Sequence, residues 1–415
     1  MRQTAQSEPA CFDVAIVGGG MVGASLAMAL NTLPIRVALI EAVGAAQDFQ
    51  PSFDSRTLAL SNATQQVFNT LGLWSEWASE AVAVRRIHVS EKGQFGSALV
   101  DAAELGLAQL GFILPAQALG RVLLPALERA AITLFNPATV MDYTIATDAA
   151  TLQLDTPQGA KTVRARLVVA ADGAQSRLRT QAKLAAPAQP YHQSAIIAPV
   201  KVSAACLDTA YERFTESGPI AILPRPGGVV VIWAVASAYA DALQALSATQ
   251  YLATLQQAFG WRLGQFTELG ARTRYELALT VAEHTQAERL VLIGNAAQSL
   301  HPIAGQGFNL GLRDAMTLAD LLADALTQNA SVDVGRAAVL APLAKQRASD
   351  RQRVIRFTDG LVRAFGLNLP ALRCARARAL GLFDLSLFAK HALSAIASGG
   401  ASYQPRLARG LKLTP

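Results

Sequence analysis

Apolar residues along this chain fall into runs whose period changes three times. From Asp13 to Glu41 (DVAIVGGGMVGASLAMALNTLPIRVALIE), the β-branched run Val14–Val17 gives way to three glycines. Small and apolar residues at helical spacing then run from Val22 to Leu30, and a second apolar run ends at Ile40. Continuous apolar runs joined by a 3.6-residue period predict a βαβ unit opening a parallel sheet. After an irregular stretch, QDFQPSFDSRTLALS, the pattern predicts a helix through Gln65 to Leu71 and short strands in RRIHVS and SALV. PAQALGRVLLPALERA carries leucines on one helical face. TVMDYTIATDAATLQLDTPQG alternates as a hairpin or meander, and RARLVVAADG is a strand ending at Asp172-Gly173.

From Tyr191 to Leu279 the period drops to two, with one helix predicted around Gln250 to Phe259. Alternation of that kind predicts a mostly antiparallel sheet with one face packed and one open. Parallel character returns at RLVLIGN, and helices fill the remainder. The expected fold is therefore α/β. Residues 12–75, 100–182 and 272–330 form a discontinuous Rossmann-like domain with a parallel sheet. Residues 76–99 and 183–271 form an inserted, mostly antiparallel substrate-binding domain, and 331–415 a helical C-terminal region.

Composition narrows the class. The chain has 415 residues, 52% of them hydrophobic and 16% charged, which suits a globular protein with a large core. The longest apolar run, Val229 to Ala240, is about a dozen residues, and a spanning helix needs about 20. MRQTAQSEPACFD at the start has no apolar stretch of the secretory kind, so the expected location is cytoplasmic. Cys11, Cys206 and Cys374 are isolated and read as free thiols, with no metal-ligand spacing. The net charge of +6 is scattered, with few aromatics among the basic residues, which argues against a nucleic-acid partner. RVIRFTDGLVRAFGLNLPALRCARARALGLF, however, alternates Arg with apolar residues. It reads either as solvated helix faces or as a surface in peripheral contact with the inner face of an anionic membrane.

Chemistry concentrates in three glycine-rich segments. Gly18-x-Gly20-x-x-Gly23 follows a strand and opens a helix, and Glu41 ends the next strand. Glycines there let a pyrophosphate reach a helix N-terminus, while the acid accepts hydrogen bonds from ribose hydroxyls. That motif alone does not separate FAD from NAD. VVAADGAQSRLR places Asp172-Gly173 after an apolar strand, followed by Ser176, Arg177 and Arg179. LIGNAAQSLHPIAGQGFNLGLRDA begins as a strand and ends as a helix. It carries Gly294-Asn295 and then Pro302, Gly305, Gln306, Gly307 and Asn309.

Three such loops resemble those of the group A FAD monooxygenases, the aromatic hydroxylases. FDSRTLALS, ERFTESGPIAILP, AFGWRLG and GNAAQSLHPIAGQGFNLGLRD resemble, more narrowly, the ubiquinone-biosynthesis hydroxylases, and most of all those acting on 2-octaprenyl-6-methoxyphenol. The resemblance covers essentially the whole chain. It implies FAD as cofactor, with NAD(P)H as transient electron donor. O₂ would add to reduced flavin at C4a, and the hydroperoxide would pass one oxygen atom to a polyprenylated phenol. The expected product is 2-polyprenyl-6-methoxy-1,4-benzoquinol.

The resemblance also implies cofactor contacts at Gly18, Gly20, Gly23, Glu41, Arg56, Gln117, Arg121, Asp172, Gly173, Gly294, Asn295, Pro302, Gly305, Gly307 and Asn309. The loop of Pro302, Gly305, Gln306 and Gly307 would lie against the flavin ring, and the helix starting near Phe308 would point its positive end at N1–C2=O. Asn295 and Gln298 depart from the wider superfamily, where aspartate and histidine are usual. No protein nucleophile is expected, because the cofactor carries the hard chemistry. His301 reads as a structural imidazole or a base, and Arg177 and Arg179 as cofactor-phosphate attractors or partners of carboxylates. Ile220–Leu223 and Val229–Trp233 are core strands that the resemblance would place beside a prenyl-phenol pocket. Other quinone-biosynthesis proteins are candidate partners. A non-catalytic flavin-binding scaffold, or hydroxylation at another ring position, is the alternative. A disulfide reductase is excluded, because a second G-x-G-x-x-G and a C-x-x-C are both missing.

Overall fold

A computed structural model describes residues 11–44, 51–204, 207–366, 370–400 and 403–414. Cys206 and residues 1–10, 47–50 and 367–369 of the segments quoted above lie outside them. Cys11 and Cys374 are free thiols.

Ten helices occur among the described residues: α1 (Met21–Leu30), α2 (Asn62–Thr70), α3 (Ala116–Arg129), α4 (Arg177–Gln181), α5 (Ser237–Ala245), α6 (Ala248–Phe259), α7 (Gln306–Gln328), α8 (Ala337–Gly366), α9 (Pro370–Leu385) and α10 (Leu387–Ser398). The first sheet is parallel at its centre. Strands Leu290–Leu292, Gly159–Ala170, Cys11–Val17, Val37–Ile40 and Ile132–Phe135 lie side by side in that order. Alternate residues of Cys11–Val17 enter different cores. Val14 and Ile16 pack with α1, α3 and α7 on one face, and Ala15 and Val17 pack on the other with the meander Thr139–Ile145 and Ala150–Thr156. Burial on both faces explains why these strands read as unbroken apolar runs.

The second sheet is antiparallel apart from one pair, Thr209–Thr215 with Arg86–Glu91. Ala188–Val202, Gly228–Ala236, Gly218–Arg225 and Thr209–Thr215 form its centre. Its outer face is sealed under α5 and α6, where Ile196, Ile220 and Trp233 are fully buried. A small third sheet, Thr57–Ser61, Gly111–Pro115 and Val82–Val84, joins the two halves.

Two sequence expectations shift. The helix expected around Gln250–Phe259 is preceded by α5, which begins at Ser237 directly after the strand. Its alanine-rich sequence had read as the end of an apolar strand. Strand Thr273–Val281 hydrogen-bonds to Ala188–Val202 and then to Gln298–Ser299. The antiparallel sheet thus runs beyond residue 271, and its pair Arg86–Glu91 and Ser97–Asp101 likewise passes residue 99.

Candidate active site

The three glycine segments meet at one edge of the parallel sheet. Val17, Ala170 and Leu292 stand level as register partners at the carboxyl ends of adjacent strands. Backbone bonds stitch the turns together: Gly18 N–H donates to Ile40 O at 2.8 Å, Ala171 N–H to Val17 O at 2.7 Å, and Ile293 N–H to Ala170 O at 3.0 Å. Contact is so close that side chains would not fit. A Cβ on Gly18, where φ is +106°, would lie 2.3 Å from Ala171 O, and one on Gly23 2.0 Å from Gly18 O. Gly20 leads into α1 with no side-chain cap.

Glu41 is held where the loop needs it. One carboxylate oxygen accepts from Gly19 N–H at 2.5 Å and the other from Val43 N–H at 2.7 Å. Asp172 uses one oxygen to accept from Arg177 and Leu178 N–H, capping α4. Its other oxygen is buried without a protein partner. Gly173 has φ +88°, with no atom within 4 Å of a Cβ position, and Asn295 is exposed beside it at the same edge. Arg179 is neither a carboxylate partner nor an open phosphate attractor. Its guanidinium donates to Ala296 O at 2.9 Å and Ala174 O at 2.7 Å, clamping the second loop to the third. Arg177 is exposed.

The third loop separates its glycines by task. Gly305 adopts φ +60°, and a Cβ there would sit 2.7 Å from the Ala59 methyl. A Cβ on Gly307 would meet nothing within 4 Å. Gly311 serves packing instead, since its Cβ would lie 2.9 Å from Gly294 Cα and 3.1 Å from Val22. Helix α7 starts at Gln306 without a side-chain cap or an acid in its first turn, leaving its positive end uncompensated. Pro302 is half-buried, and Gln306 is buried with its amide oxygen unpartnered.

Asn309 is a brace. Its amide oxygen accepts from Ser61 N–H and the Thr64 hydroxyl, and its nitrogen donates to Ala59 O and Gly305 O. All four bonds of the amide are made within the protein, so the side chain has none left for a cofactor. His301 is structural too. Nδ1 accepts from Ile303 N–H at 3.1 Å, the ring meets Tyr191 edge-on, and burial pushes the imidazole down to about 4. It is neutral at working pH.

A buried ionic network fastens α7 to α8. Arg347 bridges Asp314 at 2.6 Å and Asp350 at 2.5 Å, and Arg313 pairs with Asp350 at 2.8 Å. Gln298 joins it, donating to Asp314 and accepting from Arg351. The loop is thereby set from below. Only the sequence pair Arg313-Asp314, charged inside an apolar helix, signals this network.

Arg56 lies on the wall between the two sheets, paired to Asp54 at 2.8 Å with its guanidinium over the Tyr275 ring. The Tyr275 hydroxyl donates to the same aspartate at 2.7 Å. Gln117 and Arg121 lie one turn apart on the exposed side of α3, and Arg121 pairs with both oxygens of Glu80. Phe53, before Arg56, packs against Gly120 of the same helix. Between the sheets, the inner face of Thr209–Thr215, Gly218–Arg225 and Gly228–Ala236 presents half-exposed Ala221, Leu223 and Ile232. A cavity of about 320 Å³ lies on the other face of that sheet, away from the glycine loops.

These groups fit an extended dinucleotide: two uncapped helix ends, two open glycine positions, a ribose-height carboxylate and a buried acceptor lacking a donor. An unsatisfied buried oxygen such as that of Asp172 costs about 1–3 kcal/mol, which a cofactor hydroxyl would relieve.

Comparison with known proteins agrees with the geometry. Residues 11–338 match the FAD binding domain family. The p-nitrophenol 4-monooxygenase PnpA of Pseudomonas putida shares the fold, with a TM-score of 0.77 at 18% identity, covering 94% of this chain and 98% of that one. The chain belongs to the FAD-dependent aromatic hydroxylases, and within them to the ubiquinone-biosynthesis hydroxylases. It is 34% identical to the ubiquinone hydroxylase UbiL of Rhodospirillum rubrum over 97% of this chain and 93% of that protein. It is 33% identical to the 3-demethoxyubiquinol 3-hydroxylase of Escherichia coli, covering 88% of this chain and 92% of the relative.

Proposed function

We propose that this monooxygenase uses NAD(P)H and O₂ to hydroxylate 2-polyprenyl-6-methoxyphenol to the 1,4-benzoquinol. The supporting observation is the inner face of the antiparallel sheet, where half-exposed Ala221, Leu223 and Ile232 are small or aliphatic. That lining suits a neutral phenol with an isoprenoid tail better than an anionic aromatic acid. FAD, when bound, supplies the redox chemistry. The protein's own residues hold the parts in place. Glu41 takes the adenosine ribose, with Gly18, Gly20 and Gly23 at the pyrophosphate. Asp172, Gly173, Gly294 and Asn295 take the middle of the cofactor, and Pro302, Gly305, Gln306 and Gly307 face its ring. Arg56 closes the wall, and Gln117 and Arg121 lie along the phosphate side. Asn309 and the Asp314–Arg347–Asp350 network keep the ring loop rigid. Positioning and exclusion of water are the protein's contribution to rate.

A second reading, hydroxylation at another ring position, is favoured by the name of the E. coli relative. Incubation with ¹⁸O₂ and a short-chain 2-prenyl-6-methoxyphenol, followed by mass spectrometry, separates the two. Label para to the original hydroxyl supports the first reading and label elsewhere the second. A non-catalytic scaffold gives no labelled product.

The C-terminal helices are the proposed membrane contact. No single helix among the described residues is long and apolar enough to cross a bilayer, but α9 and α10 meet at a 95° bend. At that bend Leu382, Leu385, Leu387 and Phe388 are 50–84% exposed. Residues 337–415 hold thirteen Lys and Arg against three Asp and no Glu. An apolar tip on a basic body fits the surface of an anionic bilayer, where a prenylated phenol resides.

A further inference from the structure

The antiparallel sheet carries one carboxyl that the cofactor does not need. Glu212 lies in the strand Thr209–Thr215. Its neighbours Tyr211 and Arg213 turn to the outer face, where they line the 320 Å³ cavity with His88, Ser90 and Phe259. Strand alternation therefore sends Glu212 to the inner face. Its cross-strand neighbours there are Val89 and Ala221, and the row continues through Ile232 and Ile197. None of these side chains can hydrogen-bond it.

The adjoining rows locate this carboxyl. On one side Ala210, Leu223 and Ile87 pack with Ala59, the residue on which Gly305 rests. On the other, Phe214 stacks on Phe365 of α8. The turn Ile303–Gly305 packs against both Thr57–Ser61 and α8. Glu212 thus lies between the two walls that flank the ring loop, half-exposed to the cleft.

Charges on the surrounding elements are engaged elsewhere. Glu91 on the neighbouring strand is held by Arg373 and Arg376 of α9, and Arg56 by Asp54. Arg213 is on the outer face, bonded to Ser90, with Arg262 beside it. Burial alone acts on Glu212, and it pushes the carboxyl up to about 8.

We propose that Glu212 is a catalytic residue that binds the hydroxyl of the phenolic substrate and takes its proton. The inference rests on the phenol-hydroxylase reading above. The phenol O–H bond breaks, an O–H bond forms on the Glu212 carboxylate, and the electron pair stays on the substrate oxygen as phenolate. No oxidant or reductant is involved. Phenolate enriches the ring carbons ortho and para to the oxygen, which is where hydroxylation needs electron density. A carboxyl raised toward the phenol's own range, about 10, makes the transfer less uphill than an ordinary one would.

The test uses the full-length FAD-loaded enzyme, with short-chain 2-prenyl-6-methoxyphenol as probe. The wild type should show kcat rising with pH toward a plateau above about 8. A minor fraction of bound probe, on the order of 1% for a carboxyl near 8 facing a phenol near 10, should show phenolate absorbance before NAD(P)H is added. Glu212→Gln should lower kcat about 10²-fold, with KM changed only a few-fold, and should lose both the pH limb and the phenolate band. Glu212→Asp should recover part of the rate and the limb. A Gln variant with wild-type kcat, limb and phenolate band overturns the assignment while labelled product still upholds the hydroxylase reading. Absence of ¹⁸O-labelled product in the wild type overturns that reading, and this proposal with it.

Discussion

Glu41 and Glu212 stand on the two sheets of the protein, and their surroundings are opposite. At Glu41 both carboxylate oxygens accept backbone N–H bonds within 2.7 Å, so the group is fixed in place. At Glu212 the neighbours are apolar and burial drives the proton on. A carboxylate anchored by backbone donors is placed to hold a cofactor hydroxyl. One left unpaired in an apolar cleft can trade a proton. The cofactor edge is thus built for position and the inner sheet face for proton transfer.

Reversing charge at the first site should have the larger effect. Glu41→Lys removes the ribose acceptor, and FAD affinity should fall about 100-fold, on the order of 3 kcal/mol. The apoprotein should remain folded. Flavin fluorescence titration measures this, and unchanged affinity would remove Glu41 from the ribose site.

At the second site the contrast appears as stability. Because the folded-state pKa of Glu212 is raised, the native chain binds this proton more tightly than the unfolded chain does. Stability is therefore fully present below the ordinary carboxylate range and is lost as pH rises from there to about 8. Glu212→Gln should abolish that loss. Relative to wild type it should gain on the order of 2 kcal/mol at pH 9, discounted for partial exposure to the cleft, and nothing at pH 4. Denaturant melts across this range check the sign, and parallel curves for the two proteins would mean that Glu212 ionises normally.

The smallest effect is expected far from both carboxyls. Leu385→Asp with Phe388→Asp should reduce co-sedimentation with phosphatidylglycerol vesicles several-fold and leave turnover of a short-chain, water-soluble probe unaltered. Equal sedimentation would leave the exposed tip without a bilayer role.

Legibility from sequence follows the same division. The cofactor edge was readable because local chemistry dictates it. Gly18 and Gly23 lie where a Cβ would strike a carbonyl, and Glu41 ends a strand adjacent in the sheet. The antiparallel strands were readable from alternation, but α5 was not, because alanine suits either element. Asn309 looked like a cofactor ligand, since its motif neighbours are. Only the fold brings Ser61, Thr64 and Ala59 around it from some 250 residues away in the chain. Arg179 was ambiguous for the same reason, with its carbonyl partner Ala296 on another strand's loop. Glu212 carried no local signal. Its neighbours Tyr211 and Arg213 are just as polar, and the face it takes depends on which strands pair beside it.

The central claim is that the open side of the ring loop, at Gly307, is where the cofactor's ring sits. Gly307→Val tests it directly, because a Cβ there meets no protein atom within 4 Å, and the variant should fold. The account predicts a variant with wild-type melting temperature, purified colourless and taking up little FAD on reconstitution. A fully yellow Gly307→Val protein with wild-type FAD affinity would contradict it.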